Sequence, residues 1–278
     1  VRRPISSPAA LDALVGQDFG PGAPPARSHA QQTPARESNS QGNHDSSSHR
    51  LPSIGRRIRQ RTLVTLAYRK EVMTARGAPP FDLTPSEYRL LASLSPEWRI
   101  QEYLDTKLLY DTKGGTCRSP RRVMRDGQCQ CMDGALFAAG ALRAQGRPPL
   151  ILDLEAEQDD DHVLAVFKTK HGYGAIGRSN YSGLRFREPV YRTIRELVMS
   201  YFESYFNLRR EKTLRAYSGP VNLTRFDRVH WMTSEEDLWD IPNHLVRIPH
   251  TKVATPAAIG TYSRVDRRLF SAGLVGRQ

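Results

Sequence analysis

Between Pro149 and Asn180 the chain reads PLILDLEA, then HVLAVFKTK, then YGAIGRSN. The first run is apolar, the second alternates, and the third is short and bounded by glycine, which are the marks of three strands. Gln158-Asp159-Asp160-Asp161 separates the first two and Lys170-His171-Gly172 the last two. Connections this short leave no room for a crossover helix, so they predict an antiparallel meander. Helical signals stand on both sides of it, and the expected class is therefore α+β.

Thr84-Pro85-Ser86-Glu87 is a capping box with proline in the first helical position, and it leads into Tyr88, Leu90, Leu91 and Leu94. Ser95-Pro96-Glu97 repeats the start signal ahead of an apolar face from Trp98 to Leu108. The charged, turn-rich DTKGGTCRSPRRVMRDGQ predicts a surface loop. That loop delivers the chain to GQCQCMDGALFAAGALRAQG, where helical spacing of Ala135, Ala139 and Leu142 predicts a helix ended by Gly146 and two prolines. Its small residues allow it to lie close against a neighbour. Farther on, EPVYRTIRELVMSYFESYFNL predicts one long amphipathic helix, and TSEEDLW a short capped one.

Residues 1–55 are rich in Pro, Ser, Gln, Asn and Gly and hold too little apolar surface to offset ordering entropy, so a disordered tail is expected. A basic amphipathic segment from Ile54 to Gly77 follows. The folded domain is expected over 56–255, with a loosely ordered segment over 256–278. Three cysteines are an odd number and too few for a disulfide framework, as expected in a reducing compartment. No apolar run approaches the roughly 20 residues a membrane span needs, and VRRPISSPAALDALVG lacks a sustained hydrophobic segment. A cytoplasmic protein without a membrane partner is expected. The net charge of +12 comes from arginines spread along the whole chain, with no zinc-finger spacing or aromatic RNA-binding signature. Charge alone is a footprint and not a site, so nucleic acid is the partner of a third-ranked reading only.

Cys131 stands at the start of the predicted helix, where the dipole favours a thiolate. The alternative is a small buried hydrophobe. A nucleophilic thiol needs a base, and the base needs a group to orient it. His162 opens the second strand directly after the acidic turn. If the second hairpin is centred on His171, facing residues sum to 342 and Asn180 lies opposite His162. A two-residue turn would shift the register and put Ser179 or Tyr181 there instead. Asp159, Asp160 or Asp161 could also orient the imidazole. Cys129 is a less well spaced nucleophile, and Cys129 with Cys131 is too small a cluster to argue for a metal.

Cys131-Met132-Asp133-Gly134-Ala135 at a helix start, His162 at a strand start and a polar residue eighteen positions on resemble the transglutaminase-like superfamily, itself similar to papain-like cysteine proteases. The resemblance covers about residues 95–210. It implies a helix bearing the cysteine packed on a small antiparallel sheet, with extra helices around it. It also implies Cys131 as nucleophile, His162 as general base and acid, and Asn180 where the superfamily usually has aspartate. Val163-Leu164-Ala165 stand where an aromatic residue often follows the histidine. The implied activity is acyl transfer at an amide, chiefly hydrolysis of a peptide or protein substrate through a thioester, with no cofactor and no metal. The alternative is an inactive form of the same fold that binds a peptide or protein.

Overall fold

The Thr84 hydroxyl accepts from the Glu87 N–H while the Glu87 carboxylate accepts from the Thr84 N–H, and helix α1 runs from that box over Pro85–Ser93. The computed structural model describes residues 80–277. The tail expected over 1–55, the basic segment after Ile54 and the first part of the domain expected from residue 56 lie outside the described residues. Helix α2 follows over Trp98–Lys107, burying Ile100, Gln101 and Leu104.

The segment expected to be a loop departs from that reading. Leu109–Tyr110 (β1) pairs in parallel with Gln128–Cys129 (β2), and between them Pro120–Asp126 forms helix α3. Ser119 caps α3, Pro120 takes its first turn, and Gly127 ends it at φ 66°. Those are ordinary start and stop signals, hidden in the sequence because α3 has almost no apolar face. Helix α4, Cys131–Ala144, comes next, and twelve of its fourteen residues are buried. It is thus a central helix, and its alanines and glycines let other elements close on it from several sides.

The meander forms as expected. Strand β3, Leu150–Ala156, pairs antiparallel with β4, His162–Lys168, which pairs antiparallel with β5, Tyr173–Ile176. The second hairpin turns on Lys170 and His171, with the Thr169 N–H donating to the Gly172 carbonyl. Lys168 therefore faces Tyr173 and Ala165 faces Ile176, so facing residues sum to 341 rather than 342. The shorter turn is the physical reason, and the ladder ends at Ala165 and Ile176, short of His162.

The long helix expected after Glu188 is three elements. Arg187–Tyr191 is strand β6 at the sheet edge, where Pro189 costs no ladder bond. Thr193 caps the six-residue helix α5, Ile194–Met199. The Ser200 hydroxyl then folds back onto the Leu197 carbonyl, and Phe202–Ser204 is a 3-10 turn. Strand β7, Leu214–Ser218, lies on the other side of β3, and the short β8, Val221–Asn222, also pairs with β3. TSEEDLW forms no helix of its own: Ser234 Oγ accepts from the Glu236 N–H, and helix α6 starts at Asp240 and ends at Arg247. Strand β9, His250–Lys252, pairs with β7. Helices α7, Pro256–Ile259, and α8, Arg267–Gly273, complete the described chain. Phe270 of α8 packs on Phe206, with ring centroids 5.5 Å apart.

The result is a mixed α/β unit on a seven-stranded antiparallel sheet, ordered β6-β5-β4-β3-β7-β9 with β8 beside β3. Alternation along β4 separates two cores. Val163, Ala165 and Phe167 pack with α4, whereas Leu164 and Val166 face Leu197, Val198 and Tyr201 on the other side. Among the described residues no helix is long and apolar enough to cross a membrane.

Candidate functional site

Helix α4 brings its first residue to the beginning of β4. Strand β5 ends at Ile176, so the β4 backbone ahead of Ala165 has no strand partner on that side. The Cys131 thiol lies against this stretch. Its sulfur is 4.0 Å from the Asp161 carbonyl oxygen, and the Val163 N–H is directed at it. Sulfur thus sits alongside the peptide units that flank His162.

The sequence expectation of an activated thiolate meets a stronger opposing effect. Burial pushes the Cys131 thiol up to about 12, and the carboxylates of Asp133 and Asp160 add to it. The Val163 and Met132 N–H groups pull the other way and do not outweigh it. A helix terminus offers a fraction of a charge, and removing a thiolate from water costs more. Cys117 and Cys129 are wholly buried, and burial raises both thiols as well, Cys129 to about 12.

His162 shares its face of the sheet with Leu164 and Val166. Its Nε2 lies 2.9 Å from the Leu184 carbonyl oxygen. A carbonyl only accepts, so Nε2 carries the proton and Nδ1 carries the lone pair. Burial moves the imidazole down to about 4, with the Leu184 contact pulling weakly upward. The ring is neutral over the whole physiological range. Gly177 makes room for it: a Cβ there would stand 3.1 Å from Nε2 and closer still to Leu164.

Asn180 is half-buried in a bend past the end of β5. The group on the imidazole is the Leu184 carbonyl. The structure therefore brings Cys131 to the backbone around His162, and His162 to Leu184. The acidic turn is occupied by its own neighbours. Asp159 accepts from Thr213 Oγ1 at 2.7 Å, and Asp161 accepts from the Ala156 N–H at 2.8 Å. Burial raises the Asp161 carboxyl to about 6.

Several contributors had no role assigned from the sequence. Asp133 in the first turn of α4 accepts from the Arg118 N–H at 2.7 Å and from Arg118 Nη1 at 3.0 Å. Arg118 also reaches Asp111 and Asp126. Gln130, just ahead of α4, gives its Nε2 proton to the Thr116 carbonyl at 2.7 Å. Together these ties fix the loop before α3 to the start of α4, so the thiol is presented on a rigid end. Arg178 stands on the first turn from the other side, its Cβ against Gly134, and donates to the Leu108 carbonyl.

A second histidine near the sheet is committed elsewhere. His250 Nε2 meets Asp153 Oδ2 at 3.0 Å and Nδ1 meets the Ile248 carbonyl at 2.9 Å. Both nitrogens must donate, so this imidazole is charged and has no lone pair to offer a thiol. The Asp153 contact raises its pKa above the ordinary value. A cation favoured by folding adds stability that is complete below the unfolded pKa of about 6.5 and disappears as pH rises through the folded value. The unfolding midpoint should accordingly fall between pH 6 and pH 9, and His250→Gln should flatten that decline. Parallel curves for the two proteins would show that His250 is not the group responsible.

Comparison with protein families matched no family model, and comparison with curated proteins matched none.

Proposed function

We propose that this chain is a cysteine-dependent acyltransferase acting at amides, in the main a hydrolase of peptide or protein substrates, on a transglutaminase-like core related to papain-like proteases. The observation that carries this reading is the meeting of the first residue of a fourteen-residue central helix with the peptide units around His162. A sulfur at that point lies at the amino end of the helix, where its own backbone N–H suits a developing oxyanion. The imidazole borne by the residue between those peptide units is neutral and keeps a lone pair on Nδ1.

The two pKa directions set the order of events. A thiol raised to about 12 and an imidazole lowered to about 4 rest as a neutral pair. Deprotonation then accompanies attack. The S–H proton passes to Nδ1 as sulfur bonds to the amide carbon, the leaving amine takes that proton as the C–N bond breaks, and a thioester remains. Water adds to the thioester, giving its proton to Nδ1, and collapse returns that proton to sulfur with release of the acid.

The same two directions favour a second reading, an inactive relative of the fold that binds a peptide. A reactive ester separates the two. Incubated with p-nitrophenyl acetate, the protein should carry an acetyl group on Cys131, located by peptide mass mapping, and should turn over. His162→Ala should slow turnover by about 10²–10⁴-fold. If Cys131→Ala releases nitrophenolate as fast as the parent, the hydrolase reading fails. Absence of any adduct on Cys131 would leave the binding reading in its place.

A further inference from the structure

Resting on the acyl-transfer reading, we infer that the orienting group of His162 is the main-chain carbonyl of Leu184, and that the C-terminal helix α8 is what holds this carbonyl in position. Leu184 ends the 3-10 turn Ser182–Leu184, and its oxygen takes the Nε2 proton at 2.9 Å. The turn is fixed on several sides. Ser182 Oγ donates to the Ala272 carbonyl of α8 at 2.6 Å. Arg187 Nη2 donates to the Gly183 carbonyl at 2.7 Å, and the Tyr201 hydroxyl donates to the Arg185 carbonyl at 2.7 Å. Tyr181, the residue before the turn, packs edge-on against Phe206, the same ring that α8 covers with Phe270. Gly273 lets α8 approach that ring, since a Cβ there would overlap it.

A backbone carbonyl does part of what a carboxylate or amide side chain does for a catalytic imidazole. It selects the Nε2–H tautomer and fixes the ring plane. It brings no full negative charge, so it stabilises an imidazolium less than aspartate would. Leu184 is thus a positioning residue, through its main chain, and its side-chain identity matters only for packing.

Gly183 offers a direct handle. A Cβ on Gly183 would overlap the Cβ of Ser204, whereas the Ser204 Cα stands 3.6 Å away, ordinary van der Waals distance. Gly183→Ala should therefore displace the turn, and Gly183→Ala with Ser204→Gly should restore it. In the full chain labelled with ¹⁵N-histidine, the parent should show His162 with a pyrrole-type Nε2 and a pyridine-type Nδ1 at neutral pH. Gly183→Ala should shift both resonances and lower kcat for p-nitrophenyl acetate about 10²-fold with KM unchanged, as a displacement near 1 Å does. The double variant should recover the spectrum and the rate.

Should Gly183→Ala fail to fold, Ser182→Ala, which removes the tie to Ala272, should give the same changes at smaller size. An Nδ1–H tautomer in the parent overturns the inference, as does a Gly183→Ala spectrum identical to the parent's. A tautomer that switches in Asn180→Ala while Gly183→Ala leaves it alone also overturns it, in favour of Asn180. Failure of the acyl-transfer reading is visible separately, as a parent protein with the Nε2–H ring but no acetyl group on Cys131.

Discussion

Replacing Arg118 with methionine should lower the unfolding free energy by about 3–5 kcal/mol, the usual cost of removing one partner from a buried ion pair. Its side chain is 7% exposed, and the Asp133 carboxylate that it faces is fully buried. Methionine fills much of the same volume, so the loss comes from the stranded carboxylates of Asp133 and Asp111 and not from a cavity. Even with Arg118 present, burial raises the Asp133 carboxyl to about 6. Without Arg118 it rises further. An acid whose folded pKa lies above its unfolded value weakens the fold when ionised, and that weakening is relieved as pH falls below the folded pKa. The deficit of Arg118→Met should therefore shrink between pH 7 and pH 5, while Asp133→Asn in the same chain should recover part of it at pH 7. Urea unfolding at the two pH values measures this. A loss under about 1 kcal/mol at neutral pH would mean that Arg118 is a replaceable surface charge.

Gly134→Val should be nearly as damaging. In an exposed helix a glycine is a liability of about 1 kcal/mol against alanine, so propensity alone predicts that filling Gly134 helps. Packing decides otherwise, because a Cβ at Gly134 would stand 2.5 Å from the Arg178 Cβ. Neither atom is the end of a flexible chain, and one of the two elements has to move. A loss of about 3 kcal/mol is expected, at the upper end for overpacking. Gly140 on the same helix supplies the contrast. Its Cβ would meet Pro120 Cγ at 3.1 Å and the mobile end of Met232 at 3.4 Å. Gly140→Ala should stay within about 1 kcal/mol of the parent, as propensity and mild crowding offset each other. Unfolding midpoints that rank the two variants in the reverse order would show that α4 does not rest on Arg178.

The meander could be read from the chain because each strand carries its own period and the connections leave one topology open. Helix α1 could be read because its capping box is local. Helix α3 could not: Ser119, Pro120 and Gly127 mark its ends, but only Pro120 and Val123 within it are buried. The register of the second hairpin turned on a single residue of turn length, which Lys170-His171-Gly172 does not specify. The thiol and imidazole candidates were visible as residue types at an element start. Their environments were not, because desolvation depends on what other segments bring. No side chain announces the Leu184 carbonyl, since every residue has one.

The order of the sheet has a kinetic meaning. Strands β3 to β6 follow one another directly along the chain, and Cys131, His162 and Leu184 all belong to this stretch or to the helix just before it. The opposite side is closed by distant pairings, Leu154 with Tyr217 and then Thr251 with Tyr217. Sequence-local contacts form early and long loops close late. The thiol and imidazole therefore sit in the early-forming half of the molecule, whereas the tie of Ser182 to α8 and the pairing of β9 with its charged His250 close late. Opened from that edge, the sheet would lose the Asp153–His250 tie first, while the neighbourhood of the thiol kept its shape.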